Sequence, residues 1–205
     1  MCSVSSISMR PPLPLRDAAE RSDAARNRER LLSAARELIG ECGAAGLTMD
    51  RLAEQAGVGK GTVFRRFGSR AGLMLTLLSD SEAAFQERFM FGPPPLGPGA
   101  PGLERLIAFG EERIAYIIEF GELALAAEDA THGRSQPPAA ALWHRHIEVL
   151  LREEGFDADP WLMARSLAAT LAPDRLLNLL QVHGVSAGRL GATWRDLVTR
   201  VVSGA

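Results

Sequence analysis

Apolar residues recur every three or four positions along most of the chain, and no segment alternates with period two among β-branched residues. The pattern predicts helices throughout and no sheet. A first helix is expected from about Ser22 to Glu41, with Leu31, Ala35, Leu38, Ile39 and Cys42 as its apolar stripe and Gly43 and Gly46 at its end. The segment TMDRLAEQAGVGKGTVFRRF, Thr48 to Phe67, then reads as two short helices joined at Gly57. Thr48 can cap the first of them, Asp50 favours its positive end, and Leu52, Ala53 and Ala56 form its inward face. The second starts near Gly59 or Lys60 and places Val63 and Phe67 on one inward face, with Lys60, Thr62, Arg65 and Arg66 elsewhere on its surface. Two short helices in this order make the pattern of a helix-turn-helix DNA reader.

Beyond it, Ser69 is placed to cap a long fourth helix carrying Leu73, Leu77, Leu78, Phe85 and Phe89, which must stop at the proline-dense linker GPPPLGPGAPG. The next helix, about Gly102 to Ala130, is apolar on more than one side and should be central. THGRSQPP reads as a loop and Pro138 to Glu154 as an amphipathic helix. Asp159-Pro160 is a capping residue followed by proline at the first helical position, Pro173 must kink or divide the segment that follows, and Ser186 can open the last helix. Leu167, Leu171, Leu176 and Leu180, then Leu190, Trp194, Leu197 and Val201, recur at helical spacing and would leave a broad apolar surface on a monomer. The expected division is a flexible arm at 1–21, a helix-turn-helix module at 22–68 and a larger all-α body at 69–205.

Charge sharpens this division. Residues 10–70 carry 12 basic and 8 acidic side chains, whereas 71–205 carry 11 basic and 17 acidic, so the overall charge of −2 hides a basic module joined to an acidic body. A basic module can exchange counterions for phosphate contacts, and an acidic body is repelled from a polyanion. Arg10, Arg16 and Arg21 give the arm a basic character that a minor groove could take, but a solvated and partly dispensable tail is the preferred reading of them. The single lysine, Lys60, opens the second short helix.

Other chemistries find little support. No apolar run approaches the ~20 residues that span a bilayer, and the N-terminus has no signal-peptide core, which implies a cytoplasmic address. Cys2 and Cys42 make no disulfide framework. His144 and His146 face different sides of a helix, and Glu128 with His132 lacks further ligands, so no metal and no cofactor is expected. No nucleophile elbow, phosphate loop or convergent carboxylate pair appears; no catalytic residue is assigned and the chain does not read as an enzyme.

The stretch GVGKGTVFRRF followed by Ser69-Arg70, together with the preceding RNRERLLSAARELIGECGAAGLTMDRLAEQAGV, resembles the tetracycline-repressor-like (TetR) transcriptional regulators. Within such a module Thr48 and Arg70 would bracket the second helix as phosphate clamps, and Lys60, Thr62, Arg65 and Arg66 would enter the groove or read base edges. Gly61 would allow close backbone approach. By resemblance, Phe64 stands where the family usually has Tyr, leaving packing or a thymine-methyl contact, while Arg65 and Arg66 replace an aromatic residue and a His. The resemblance further implies a small-molecule effector pocket, for which Phe85, Phe89, Phe109, Arg113, Tyr116, Phe120, Trp143 and His146 are candidates. It also implies a homodimer built on the last two helices through Leu167, Leu171, Leu190, Trp194, Leu197 and Val201. The expected function is thus a ligand-responsive repressor that binds double-stranded DNA at a palindromic operator. A helical small-molecule sensor with only non-specific nucleic-acid contact is the alternative.

Overall fold

The structure, a computed structural model, describes residues 15–131 and 138–204, with side chains at 23–125 and 140–204. Residues 1–14 of the expected arm, including Arg10, and 132–137 of the expected loop lie outside the described residues, as do the side chains of Glu128 and His132. Among the described residues there are nine α-helices, one π-helical turn and no strand. The chain divides after Arg70 into two units.

In the first unit, α1 spans Leu15–Gly46, α2 Met49–Gln55 and α3 Lys60–Phe67. The first helix begins seven residues before the expected start at Ser22. The prolines of the arm all precede Leu15, and the run LRDAAERSDAAR that follows is dominated by good helix formers. Gly43, at φ 70 and ψ 170, kinks the helix where glycine was expected to end it. Leu31, Leu32, Leu47, Leu52 and Val63 are fully buried and make the core of this unit. Arg30 Nη2 donates to the Ala56 carbonyl at 3.1 Å, fixing the end of α2 against α1.

The second unit holds α4 (Arg70–Phe91, whose first residue belongs to the first unit), α5 (Gly102–Thr131), α6 (Pro138–Glu153), α7 (Pro160–Thr170), α8 (Pro173–Leu177) and α9 (Ala187–Ser203). A π-helical turn, Asn178–Val182, follows α8. The local signals act as expected: Asp159 accepts from the Leu162 N–H with Pro160 at the first helical position, Pro173 starts a separate helix, and Ser186 accepts from the Arg189 N–H. Helix α5 is central, packing against α6, α8 and α9. Close approach depends on a missing side chain. At Gly110 a Cβ would stand 2.0 Å from the Trp194 indole nitrogen, and with hydrogen there instead the indole lies across α5 and donates to the Leu106 carbonyl at 2.9 Å.

That contact sets four of the residues expected at a dimer surface within a single chain. Leu167, Leu171, Leu190 and Trp194 are buried inside the body of one chain, Trp194 at 3% exposure. An amphipathic helix has one apolar stripe, and here the stripe of α7 is turned to α6 and that of α9 to α5. Leu197 and Val201 remain part-exposed.

Substituting Gly110→Ala should force the indole out of its seat and destabilise the chain by about 1–3 kcal/mol. Chemical denaturation of the two proteins measures this, and an unchanged midpoint would contradict the packing.

Candidate nucleic-acid interface

Helix α3 has eight residues, and burial sorts them sharply. Val63 and Phe67 are turned into the core, whereas Lys60, Gly61, Phe64, Arg65 and Arg66 are exposed and Thr62 is part-exposed. Gly57 makes the turn at φ 64, and the Val58 N–H donates to the Ala53 carbonyl at 2.9 Å, locking the chain as it leaves α2. Gly68, at φ 73, ends α3 while donating to the Phe64 carbonyl at 2.8 Å. The Phe64 ring is 47% exposed, so its place on the surface has no explanation in core packing.

The flanking groups divide between scaffold and surface. Thr48 Oγ1 accepts from the Arg51 N–H at 3.2 Å and caps α2, keeping its own hydroxyl proton to donate outward. Arg70, expected as a phosphate clamp, donates from Nε to the Leu47 carbonyl at 2.7 Å and from Nη2 to the Ala44 carbonyl at 2.6 Å. Its guanidinium therefore holds the turn between α1 and α2 before it can hold anything else. Arg51 does similar work, donating to the Gly46 carbonyl at 3.2 Å. Lys60 is paired with Asp50, but both side chains are mostly exposed, and such a pair contributes about 0–1 kcal/mol and yields to a competing phosphate. Arg65 and Arg66 make no hydrogen bond or ion pair among the described residues.

Sequence reasoning missed a groove between α1 and α3. It has a volume of about 230 Å³ and is lined by Ala24, Asn27, Arg28, Leu31, Thr62, Arg65 and Arg66. The signal was present in the spacing: Ala24, Asn27, Arg28 and Leu31 share the face of α1 that carries the core residue Leu31.

In the second unit the residues expected to line an effector pocket do come together, on α4, α5 and α6. Phe85, Phe89 and Phe109 form a triangle of rings with centroids 5.2 to 5.4 Å apart. His146 lies tilted against Phe89 with centroids 4.5 Å apart, and Tyr116 lies 5.9 Å from Phe85 and 5.2 Å from Phe120. Arg113 is buried with its guanidinium 3.8 Å from the Trp143 ring centroid and 4.8 Å from that of Tyr116. Sequence reasoning missed Glu82, which accepts from Trp143 Nε1 at 2.7 Å and faces Arg113 at 3.8 Å. In this conformation the eight residues and Glu82 pack on one another as core.

Burial perturbs these groups. It raises the Glu82 carboxyl above its ordinary value despite the opposing pull of Gln86, Arg113 and Trp143. Burial, aided by the charge of Arg105, holds His146 down at about 4, and His144 is lowered by burial and by Arg165. Among the described residues no group of three or more His, Cys, Asp or Glu is placed to hold a metal ion, and no helix is long and apolar enough to cross a membrane.

A helix pair with one buried face, a glycine turn and a basic exposed face defines a helix-turn-helix module, carried here on an all-helical chain. Residues 31–77 match the family of bacterial regulatory proteins, tetR family. No curated protein matches the chain. Among solved structures, a TetR-family transcriptional regulator from Pectobacterium atrosepticum is 21% identical with a TM-score of 0.65, the match covering 90% of this chain and 96% of that one. A protein from Saccharomonospora viridis, described as a transcriptional regulator and solved in complex with choline, is 20% identical with a TM-score of 0.66, over 85% and 96%. A TetR-like transcriptional regulator from Rhodococcus sp. RHA1 is 16% identical with a TM-score of 0.57, over 87% and 97%. The chain thus has the amino-terminal domain and the fold of a TetR-family transcriptional regulator.

The depressed His146 has a testable consequence. Its folded value of about 4 lies below the ordinary 6.5, so the unfolded chain binds the proton more tightly and stability falls as pH drops from 6.5 toward 4. Glu82, whose folded value is raised, acts in the opposite sense, costing stability as pH rises. A His146→Phe variant isolates the first effect: relative to wild type it should gain up to about 3 kcal/mol between pH 6.5 and 4. Parallel denaturation at these pH values measures the gap, and a gap independent of pH would show that His146 titrates normally.

Proposed function

We propose that the protein is a homodimeric DNA-binding transcriptional regulator, a repressor released from a palindromic operator by a small-molecule effector. The observation that carries the reading is the sorting of α3, with Val63 and Phe67 buried and Lys60, Gly61, Thr62, Phe64, Arg65 and Arg66 left on the outer face. Lysine and arginine can address guanine O6 and N7, threonine offers a hydroxyl, and the exposed Phe64 ring suits a thymine methyl. Thr48 supplies a phosphate contact at the start of α2, and the free donors of Arg70 a second. Two copies of α3 would read half-sites about one helical turn apart, on the order of 34 Å or somewhat more. A cytoplasmic location belongs to the same reading.

The effector would enter among Phe85, Phe89, Phe109, Arg113, Tyr116, Phe120, Trp143 and His146. A cluster that is mostly aromatic, with one guanidinium, one carboxylate and one neutral imidazole, is the mixture from which ligand sites are built. Binding there would act on the packing of these rings, so the ligand would select one arrangement of them over another. Release follows if that packing favours a separation of the two α3 helices that does not fit the operator.

Gel-shift or anisotropy titrations should show a salt-sensitive preference for a palindrome in the upstream region of the protein's own gene over scrambled duplex. Lys60→Ala should weaken the palindrome selectively, by roughly tenfold or more. Equal affinity of wild type for both duplexes would instead favour a helical sensor with non-specific nucleic-acid contact. For assembly, the double variant Leu197→Asp, Val201→Asp should sediment as a folded monomer. Trp194→Asp should unfold the body, because it buries a carboxylate against α5. A folded dimer from the double variant would remove α9 from the interface.

A further inference from the structure

Glu82 of α4 and Arg113 of α5 form a charge pair inside the ring cluster of the second unit, with side chains 14% and 4% exposed. The two oxygens of Glu82 are engaged differently. Oε1 accepts from Trp143 Nε1 at 2.7 Å and from Gln86 Nε2 at 3.0 Å. Oε2 faces Arg113 Nη1 at 3.8 Å, too far for a hydrogen bond. A proton on Oε2 would therefore cancel the charge of Glu82 and leave both of its hydrogen bonds in place. Burial, which raises this carboxyl above its ordinary value, works in the same direction. Arg113 has no such option, because a guanidinium keeps its proton in a protein. Of the two charges only the positive one is permanent, and it lies 3.8 Å from the Trp143 ring centroid and 4.8 Å from that of Tyr116. The cluster can thus exchange one anion for another, whereas a cationic ligand would add a second positive charge beside a single carboxylate.

We propose that Arg113 anchors the carboxylate of an apolar or aromatic organic acid, which replaces Glu82 as the partner of the guanidinium. The proposal rests on the reading of this cluster as the effector site and names the chemical class of the effector. A ligand carboxylate can meet the planar fork of Arg113 with two hydrogen bonds, where Glu82 Oε2 makes none. The rings of Phe85, Tyr116 and Trp143 receive the apolar body. Two carboxylates beside one guanidinium would leave a net negative charge withdrawn from water, so Glu82 takes one proton from solvent as the acid binds. Affinity then falls as pH rises, by up to about tenfold per pH unit where Glu82 of the ligand-free protein is ionised. The other groups about this pair are Tyr116 with Glu119 beyond it on α5, and His146 of α6 at the far side of the rings. Burial raises Tyr116 and lowers His146 to about 4, so neither titrates between about pH 6.5 and 8.5.

The test uses the full chain and three probe acids, benzoate, 3-phenylpropionate and 4-phenylbutyrate, each beside its amide and the amine of matching length. Melting temperature and tryptophan fluorescence report binding at constant ionic strength. At least one acid should bind roughly tenfold or more tighter than its amide and amine, and its affinity should fall across that pH range. Glu82→Gln, checked for folding by circular dichroism, should bind the acid at least as tightly and lose the pH dependence, a readout that a purely structural glutamate would not move. Arg113→Gln should abolish binding. If either variant fails to fold, the pH profile of wild type still decides. An amide or amine that binds as well as its acid overturns the proposal and leaves the effector-site reading standing. Affinity that does not change with pH, or no binding by any of the three acids, overturns it too. An acid that binds with this pH profile but does not release the operator supports the anion site and refutes the repressor mechanism instead.

Discussion

Helices of seven and eight residues have almost no stability of their own in water, because nucleation fixes several residues before the first hydrogen bond closes. The helices α2 and α3 are that short. Everything the first unit offers to a polyanion therefore stands on burial: Leu47, Leu52 and Val63 at 0% exposure and Phe67 at 9% hold the two helices at a fixed angle. Each such side chain contributes about 1.5–3 kcal/mol when removed from water. Polar links then set the orientation. Arg70 bonds to the Leu47 and Ala44 carbonyls, Arg30 to the Ala56 carbonyl, and Thr48 closes the first turn of α2. Arginine suits this work because its planar fork can serve two carbonyls at once without losing its charge.

The second unit answers to a different constraint. Its core contains an arginine, a glutamate and two histidines, and burying such groups is unfavourable unless they find partners. Here Arg113 lies between the faces of Trp143 and Tyr116, and Glu82 accepts from the Trp143 indole. Burial lowers both histidines below their ordinary value, disfavouring their charged form. A core assembled from rings and a few partnered charges is stable as it stands, yet its polar members can exchange partners with a ligand. An all-aliphatic core could not.

Features set by local chemistry were legible in the sequence. Thr48, Asp159-Pro160, Pro173 and Ser186 act within three or four residues of themselves, and each caps, starts or divides a helix where its chemistry predicts. The two faces of α3 were legible for the same reason. What the sequence concealed depends on what lies opposite. The stripe carrying Leu167, Leu190 and Trp194 has the same period whether it meets a second chain or α5 and α6, and the seat of the Trp194 indole against α5 depends on the hydrogen at Gly110, which no periodicity reveals. Likewise Arg70 and Arg66 look equivalent as basic residues near a DNA-reading helix. One is drawn to backbone carbonyls of the turn before α2, and the other faces a groove. The early start of α1 was hidden by the prolines that precede it, which colour the composition of the arm without entering the helix.

The basic charge of the first unit is thus not a uniform coating. Arg30, Arg51 and Arg70 are committed to carbonyls and would hold their places whether or not an anion were present. Lys60 is balanced by an exposed aspartate that a phosphate or a base edge can displace at small cost. Arg65 and Arg66 make no hydrogen bond or ion pair among the described residues, and both line the groove between α1 and α3. These three levels of engagement order the groups by how readily they can take a ligand. Among the described residues the least engaged charges of α3 are those of Arg65 and Arg66, on its last turn, while Lys60 at its first turn is held by an exposed pair.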